Sequence, residues 1–210
     1  MTPYPEKSAA ELSPLLQGSD KEVRLQVGPD SFFRLFTQLN QLDTINHFLF
    51  QPGMLFNDSL QWWGLKERRP RPHEGIDIFL MQSSDMLTSS VLPQMLIPAI
   101  LPGYLVHFHR DFLGETLYIQ HPYIREKGAV LHTLYGHTRL ISGSSCPSYI
   151  NKGQIVGAIH SPPVTSSVPA HLHVSCAWIR EDQLMEELNW ESMSAGDQVT
   201  FIDPLFFLLQ

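Results

Sequence analysis

Cysteine, charge and long apolar runs are all scarce in this chain of 210 residues. Its two cysteines, Cys146 and Cys176, are too few for a disulfide framework or a four-thiolate metal site. Charged residues make up 17% of the chain, and 14 basic residues against 21 acidic ones give a net charge of −7. Because no basic stripe is present, the sequence argues against a nucleic-acid-binding protein.

The longest apolar stretch, residues 95–108, is too short and too interrupted to cross a membrane. It contains Pro98, Pro102 and His107, whereas a spanning helix needs about 20 predominantly apolar residues. The start of the sequence has no basic segment followed by an apolar run, so we identify no signal peptide in it. The cellular compartment stays open, since a targeting segment could have been removed.

What the chain does have is enough apolar residues for a core, at 43%, together with 13 glycines and 16 prolines. Short β-rich runs between turn residues predict strands near 76–81, 95–107, 116–120, 129–135, 154–159 and 170–179. Helices are predicted over 30–48, with Asp30 as N-cap, and over 181–193. The predicted fold class is therefore mostly β, with an antiparallel sandwich or barrel-like core. We divide the chain into a partly helical N-terminal extension, 1–70, and a β domain, 71–210, with a helical insertion at 181–196.

Ten histidines are the unusual count, and imidazole is the commonest metal ligand in proteins. His171 and His173 flank Leu172 in a predicted strand, so their side chains should lie on the same face, opposite the apolar one. They indicate either a metal or acid–base pair, or two partly exposed polar positions. His137 follows the end of another predicted strand, in a loop where functional side chains often project.

His73 and Asp77 are four residues apart and allow two metal-binding interpretations. On a helix they would share one face, but Gly75 and the β-branched Ile76 argue against a helix. In a turn that leads into a strand, the same two side chains can still converge on one ion. A solvated turn without any ion is the third possibility.

A further cluster, His107, His109 and Asp111, has the spacing H-x-H-x-D, which resembles the metallo-β-lactamase motif. That hydrolase fold needs alternating helices and strands, which the strand-rich pattern does not offer. We therefore keep it as a weaker alternative centred on these three residues.

Several short motifs follow one another in a definite order. They are H-x-G-x-D (His73, Gly75, Asp77), Y-x-H (Tyr135, His137), a partial G-Q-x-x-G stretch (Gly153, Gln154, Gly157), H-L-H-V (His171, Leu172, His173, Val174) and D-P (Asp203, Pro204). In this order they resemble the lysostaphin-type zinc peptidases, a family of peptidoglycan-cutting endopeptidases. The resemblance covers about residues 70–180 and resumes at 200, whereas the first 70 residues carry none of its motifs.

The resemblance implies a duplicated hybrid motif fold and one Zn²⁺ ion held by His73, Asp77 and His173, with catalytic imidazoles at His137 and His171. Such a ligand set agrees with zinc chemistry, because three protein ligands leave one of four positions open for water. The implied function is a zinc metalloendopeptidase that hydrolyses peptide bonds, in peptidoglycan stem or cross-bridge peptides. The implied partner is a peptide or peptidoglycan substrate. The implied compartment is the bacterial periplasm or cell envelope if a targeting segment was removed, and otherwise the cytoplasm.

The alternative function is a non-catalytic, zinc-stabilised module that binds a peptide or peptidoglycan in the same groove. The segment just before His73 bears on substrate binding in either case. It contains two tryptophans and four basic residues, namely Trp62, Trp63, Lys66, Arg68, Arg69 and Arg71. We predict that it forms a wall of the groove, the alternative being tryptophans in the core and charges on a solvated loop.

Overall fold

The computed structural model describes residues 22–111, 113–141 and 145–210. The strands among these residues are β1 (Val23–Gln26), β2 (Ile45–Phe50), β3 (Ile76–Ile78), β4 (Leu80–Ser83), β5 (Thr88–Ser90), β6 (Leu96–Pro98), β7 (Gly103–Asp111), β8 (Gly114–Glu126), β9 (Ala129–Leu140), β10 (Ser148–Ile150), β11 (Ile155–Ile159), β12 (Leu172–Arg180) and β13 (Val199–Ile202). The helices are α1 (Phe32–Leu39), α2 (Trp190–Ala195) and α3 (Leu205–Leu208), and a 3₁₀ turn spans Met185–Glu187. The part of the predicted extension before residue 22 lies outside the described residues.

The strands form two sheets in which the named strand pairings are antiparallel. The smaller sheet has the order β1-β2-β4-β5, and the larger one has the order β10-β7-β8-β9-β11-β6. Strand β12 joins the larger sheet through β9 and also pairs with β3 and β13. The prediction of a mostly β, antiparallel fold is confirmed.

The helix predicted over 30–48 is wrong in its extent and in its cap. Ser31, not Asp30, is the N-cap, and its hydroxyl accepts a hydrogen bond from the Arg34 backbone. The helix ends at Leu39 because the Asn40 side chain donates to Phe36 O (2.9 Å) and pairs with the backbone of Leu96. Residues 45–50 then form β2, which pairs with β4 and contributes to the core.

The C-terminal helical insertion is also shorter than predicted. Strand β12 continues to Arg180, and only the 3₁₀ turn and α2 are helical within 181–196. Helix α2 begins late because Asn189 caps it, its side chain accepting from Ser192 N at 2.9 Å. None of the helices in the described residues is long and apolar enough to span a membrane.

The predicted strand over 95–107 is two strands, β6 and β7, separated by a turn that contains Pro102. Residues 100–102 leave the sheet there because proline cannot donate a ladder hydrogen bond. Strands β1, β2, β5, β10 and β13 were not predicted, four of them being only three or four residues long.

The larger of the two hydrophobic clusters in the described residues contains side chains of both sheets and includes residues from both sides of position 70. Helix α1 contributes Phe33, whose ring centroid lies 4.6 Å from that of Phe48 on β2. The same core contains Ile78 and Val174, which belong to the strands of the histidine motifs. The division of the chain at residue 70 stays a prediction, but the early strands pack directly against the elements that carry those motifs.

His121 and His132, two histidines outside the motifs, are buried. His121 donates from Nδ1 to Pro102 O (2.8 Å), and His132 donates from Nδ1 to Val130 O (3.0 Å). Burial lowers the pKa of each ring from 6.5 to about 4. Both rings are therefore neutral in the folded protein at pH values where an exposed histidine takes up a proton.

We expect the free energy of unfolding to fall as the pH drops from 6.5 towards 4. In this window the unfolded chain binds a proton at each of these two histidines and the folded chain does not. Each ring therefore removes about 1.4 kcal/mol of stability per pH unit. Denaturant titrations across this range measure the slope, which should be shallower by that amount in His132→Leu. An unchanged slope in this variant would contradict the expectation.

Candidate metal centre

The candidate site lies where three neighbouring strands, β3, β12 and β9, run side by side. His73 lies just before a bend at Glu74 and Gly75, and Asp77 lies in β3, so the structure has the turn that leads into a strand. Asp77 pairs in register with His173 of β12, and His173 pairs with Gly136 of β9. Antiparallel pairing thus brings residues far apart in sequence into one row across the sheet.

Three donor atoms from His73, Asp77 and His173 form a tight triangle. His73 Nε2 lies 3.2 Å from both Asp77 Oδ1 and His173 Nδ1, and the third side, from Asp77 Oδ1 to His173 Nδ1, is 2.8 Å. All three residues are buried, and within the described residues they are the single such group of metal-binding side chains. Ligands about 2.0–2.2 Å from a tetrahedral ion would be about 3.3–3.6 Å apart. Only the 2.8 Å distance between Asp77 Oδ1 and His173 Nδ1 has to lengthen appreciably for the three atoms to hold such an ion.

The outer hydrogen bonds of the two histidines fix which ring nitrogens face the triangle. His73 Nδ1 donates to Leu55 O (3.0 Å), so the lone pair of the neutral ring is on Nε2. His173 Nε2 lies 2.8 Å from the Ser175 hydroxyl, which can accept its proton and leave the lone pair on Nδ1. Two lone pairs and a carboxylate oxygen at these distances repel one another unless a cation lies between them. The donor set therefore fits a metal ion.

Gly75, which lies between His73 and Asp77 in the H-x-G-x-D motif, is required by the packing of β3 against β12. A Cβ at this position would overlap the carbonyl oxygen of Val174 on β12 and come within 2.9 Å of His173 Nε2. Any larger residue would push β3 away from β12. The glycine is thus what allows Asp77 to reach His173.

The electrostatics of the site favour an ionised carboxylate on Asp77 beside a neutral His173 ring. Burial alone would raise the pKa of Asp77, but its close contacts with the imidazoles of His73, His171 and His173 hold it well below its usual range. Burial lowers the pKa of His173, although Asp77 opposes the shift. Metal ligands need these protonation states, a carboxylate and neutral rings.

His171 directly precedes β12 and lies on the same side as His173, as the alternation of a strand predicted, while Leu172 and Val174 are in the core. Its Nδ1 donates to Pro169 O (2.8 Å), and its Nε2 lies 3.4 Å from Asp77 Oδ1. Trp63 stacks on the ring at 6.4 Å between centroids, so the ring is fixed from two directions.

His137 lies inside β9 and not in a loop after it, which corrects our interpretation. The register with β8 slips here, so that Gly136 and His137 together face Thr116. His137 takes a positive φ of 58°, which histidine adopts more readily than most residues. Regular alternation would put His137 on the face of Tyr135, which is buried in the core. The bulge turns it instead towards His171, whose ring centroid is 4.6 Å away.

The environment of His137 leaves its ring available for hydrogen bonding and proton transfer within the site. Its Nδ1 is shielded from solvent and has no hydrogen-bond partner within the part of the chain that the structure describes. Burial and the neighbouring rings of His171 and His173 hold the pKa of His137 well below its usual range. The neutral ring can therefore accept a proton or donate a hydrogen bond inside the site.

A groove of about 540 Å³ opens over these side chains. Trp63 and Arg69 line it, as predicted for a wall, and Arg71 lines an adjoining cavity together with Trp190. The other members of the predicted wall lie elsewhere. Trp62 is buried in the core, and Lys66 and Arg68 are exposed.

The H-x-H-x-D cluster does not form a second metal site in the described residues. His107 and His109 stack along β7 with ring centroids 6.4 Å apart, and His109 is bonded to the Tyr118 hydroxyl (3.0 Å). His109 and Asp111 do line the groove, as does Arg110 between them. The alternative hydrolase centred on this cluster is not supported.

Several contacts within the site were not predicted from the sequence, although Trp62 and Arg69 belong to the predicted wall of the groove. Trp62 and Arg69 both reach Asp77 Oδ2, and Trp190 of α2 packs its ring edge-on against His173, with centroids 5.0 Å apart. No spacing rule connects these residues to the motifs. The one available signal was the concentration of tryptophan and arginine just before His73.

Comparisons with known proteins give distant likenesses. No protein-family model matches the chain, and neither does any curated protein. Among solved structures, it is similar to the catalytic domain of the antimicrobial peptidase lysostaphin from Staphylococcus simulans. The identity is 20% and the TM-score 0.42, over 67% of this chain and 81% of that one.

Two further solved structures are similar to the chain. One is an M23 peptidase from Pseudomonas aeruginosa, with 15% identity and a TM-score of 0.38, over 74% of this chain and 50% of that one. The other is the catalytic domain of the prophage-encoded M23 protein EnpA from Enterococcus faecalis, with 19% identity and a TM-score of 0.37, over 65% and 95%. The family that the sequence motifs resemble is thus represented among these structures. At such distances, the case for a function rests on the residues of the site itself.

Proposed function

We propose that this protein is a zinc-dependent metallopeptidase whose ion is held by His73, Asp77 and His173. The observation that carries the proposal is the buried triangle of two imidazole nitrogens and one carboxylate oxygen, with sides of 2.8–3.2 Å, open to a groove. Two imidazoles and a carboxylate leave one position free on a four-coordinate zinc ion, as catalytic sites require. Zinc, when bound, supplies a Lewis acid that makes water nucleophilic near neutral pH and polarises a carbonyl group.

The proton transfers fall to the two remaining imidazoles. Hydrolysis adds water to the carbonyl carbon, breaks the carbon–nitrogen bond and needs a proton on the departing amine. His171 holds its own proton on Nδ1 against Pro169 O (2.8 Å), so its Nε2 can take the proton of the attacking water. His137, on the adjacent bulge, can donate to the developing oxyanion or to the amine.

The groove favours a chain-like substrate. It is bordered by aromatic rings, Trp63 and Trp190, from two separate parts of the chain, and it continues past Glu74 into a second cavity. An extended peptide can lie along such a channel with its scissile bond over the triangle. That the peptide belongs to the stem or cross-bridge of peptidoglycan rests on the motif resemblance.

A zinc-stabilised binding module is the second candidate, since it would keep the same ligands. A binding module would not need an imidazole such as that of His137, whose solvent-shielded Nδ1 has no hydrogen-bond partner among the described residues, and this favours the enzyme.

Metal removal and reloading test the proposal. Wild-type protein is stripped with a chelator, reloaded with one equivalent of zinc and incubated with purified peptidoglycan and with a glycine-rich peptide. We expect new primary amino groups from the loaded protein, none from the stripped protein, and recovery on reloading. Zinc-dependent sedimentation with peptidoglycan, without new amino groups, would instead identify the binding module.

A further inference from the structure

The two oxygens of the Asp77 carboxylate have different surroundings. Oδ1 faces the imidazoles, with His173 Nδ1 at 2.8 Å and His73 Nε2 at 3.2 Å. Oδ2 points away from them and accepts from Trp62 Nε1 at 2.7 Å and from Arg69 Nη2 at 3.3 Å. One oxygen is therefore free for an ion, and the other is occupied by two donors of this chain.

The Arg69 side chain is held in place by contacts other than the one with Asp77. Its Nε donates to Leu60 O (2.9 Å), its Nη2 also donates to Gly53 O (3.1 Å), and its guanidinium lies 4.6 Å from the Trp63 ring centroid. The side chain is mostly shielded from solvent, with 13% exposed. Holding a rotamer-rich side chain this way removes the freedom that normally weakens a surface ion pair.

Trp62 is equally constrained. It is buried, and its ring packs against Phe79 with centroids 4.8 Å apart and edge-on to His171 at 5.2 Å. The backbone of Trp62 is also packed closely, since a Cβ at Gly53 would come within 2.7 Å of the Trp62 amide nitrogen. The indole N–H has no freedom to seek another acceptor, so it is directed at Asp77 Oδ2.

We propose that Trp62 and Arg69 are positioning residues that hold Asp77 as a one-oxygen metal ligand. A carboxylate whose second oxygen accepts a neutral and a charged hydrogen bond cannot rotate to offer both oxygens to an ion. This keeps the coordination number low and leaves a position open for water. The inference rests on the proposed metal site but not on peptidase activity, and it assigns part of the metal site to the segment before the motifs.

The test compares metal binding in Trp62→Phe and Arg69→Met with that in Arg68→Met, an exposed neighbour as matched control. Trp62→Phe keeps an aromatic ring against Phe79 and loses only the donor. Loss of an outer-shell partner typically costs about 10–100-fold in metal affinity, so we expect zinc affinity, measured by chelator competition, to fall by that factor. Arg68→Met should bind zinc as wild type does.

Cobalt substitution adds a readout that a merely structural role would not move. If Asp77 gains freedom to bind through both oxygens, the visible d–d bands of the Co²⁺ protein should weaken and shift as the coordination number rises. Wild-type zinc affinity together with a wild-type cobalt spectrum in Trp62→Phe overturns the proposal, even if Arg69→Met fails to fold. Zinc binding by a wild type that cleaves nothing would refute the peptidase and leave this inference standing.

Discussion

His73→Ala is expected to reduce zinc binding from one ion per chain to almost none. The substitution removes the nitrogen that lies 3.2 Å from both Asp77 Oδ1 and His173 Nδ1, so only two protein ligands remain. The loss of zinc affinity should exceed the roughly 10–100-fold loss that typically follows removal of an outer-shell partner. Elemental analysis after gel filtration measures the stoichiometry, and full occupancy in the variant would mean that the ion is held elsewhere.

Folding of the variant has to be separated from metal loss. His73 is buried and donates to Leu55 O, so alanine leaves a cavity and an unpaired carbonyl group. The unpaired carbonyl alone should lower the free energy of unfolding by about 1–3 kcal/mol. Zinc should raise the unfolding midpoint of the wild type, since it binds the folded state, and should not raise that of His73→Ala. His47→Ala, a histidine of β2 that is not part of the cluster, is the matched control and should keep both the ion and the zinc-dependent shift.

The motif residues were the part of the site that the sequence could predict. Period-two alternation put His171 and His173 on one face of a strand, and the β-branched residues after Gly75 favoured a strand at Asp77. These predictions depend on local sequence patterns. The pairing of β3 with β12 leaves the side chains on the faces that those patterns predict. What brings the three candidate ligands together is the register of that pairing, which only the order of the motifs suggested.

The errors came from tertiary context. The helix predicted over 30–48 continued through residues with no strong local stop, and it ends because Asn40 bonds to Leu96, 56 positions away. The bulge at His137 has no signature in the sequence apart from Gly136. The contacts of Trp62 and Arg69 with Asp77 need a folded loop, so spacing could not reveal them.

His137→Ala is expected to separate catalysis from metal binding. His137 is not a member of the donor triangle, and its ring centroid is 5.8 Å from that of His173. The three ligand atoms should therefore keep their arrangement, and zinc content should stay at the wild-type level. Hydrolysis should fall by about 10²–10⁴-fold, because the lost ring interacts with charge and protons that develop only in the transition state.

The positive φ of His137 calls for a second variant. Alanine is strained in the left-handed region, whereas asparagine enters it readily. His137→Asn thus keeps the bulge while removing the imidazole, and it should lose activity as His137→Ala does. If His137→Asn keeps wild-type turnover, the contribution of position 137 is its backbone and not its ring.

The effect of His137→Ala also decides between the two candidate functions, because only an enzyme needs the ring of His137. In a binding module, His137→Ala would change peptidoglycan affinity or nothing at all, and no variant would alter a rate. In a peptidase, the substitution should leave zinc stoichiometry and peptide affinity close to wild type and abolish the release of amino groups. The decisive measurement is turnover of a glycine-rich or D-amino-acid-containing peptide, recorded alongside zinc content for wild type, His137→Ala and His47→Ala. Equal turnover in all three would show that any hydrolysis does not depend on this imidazole.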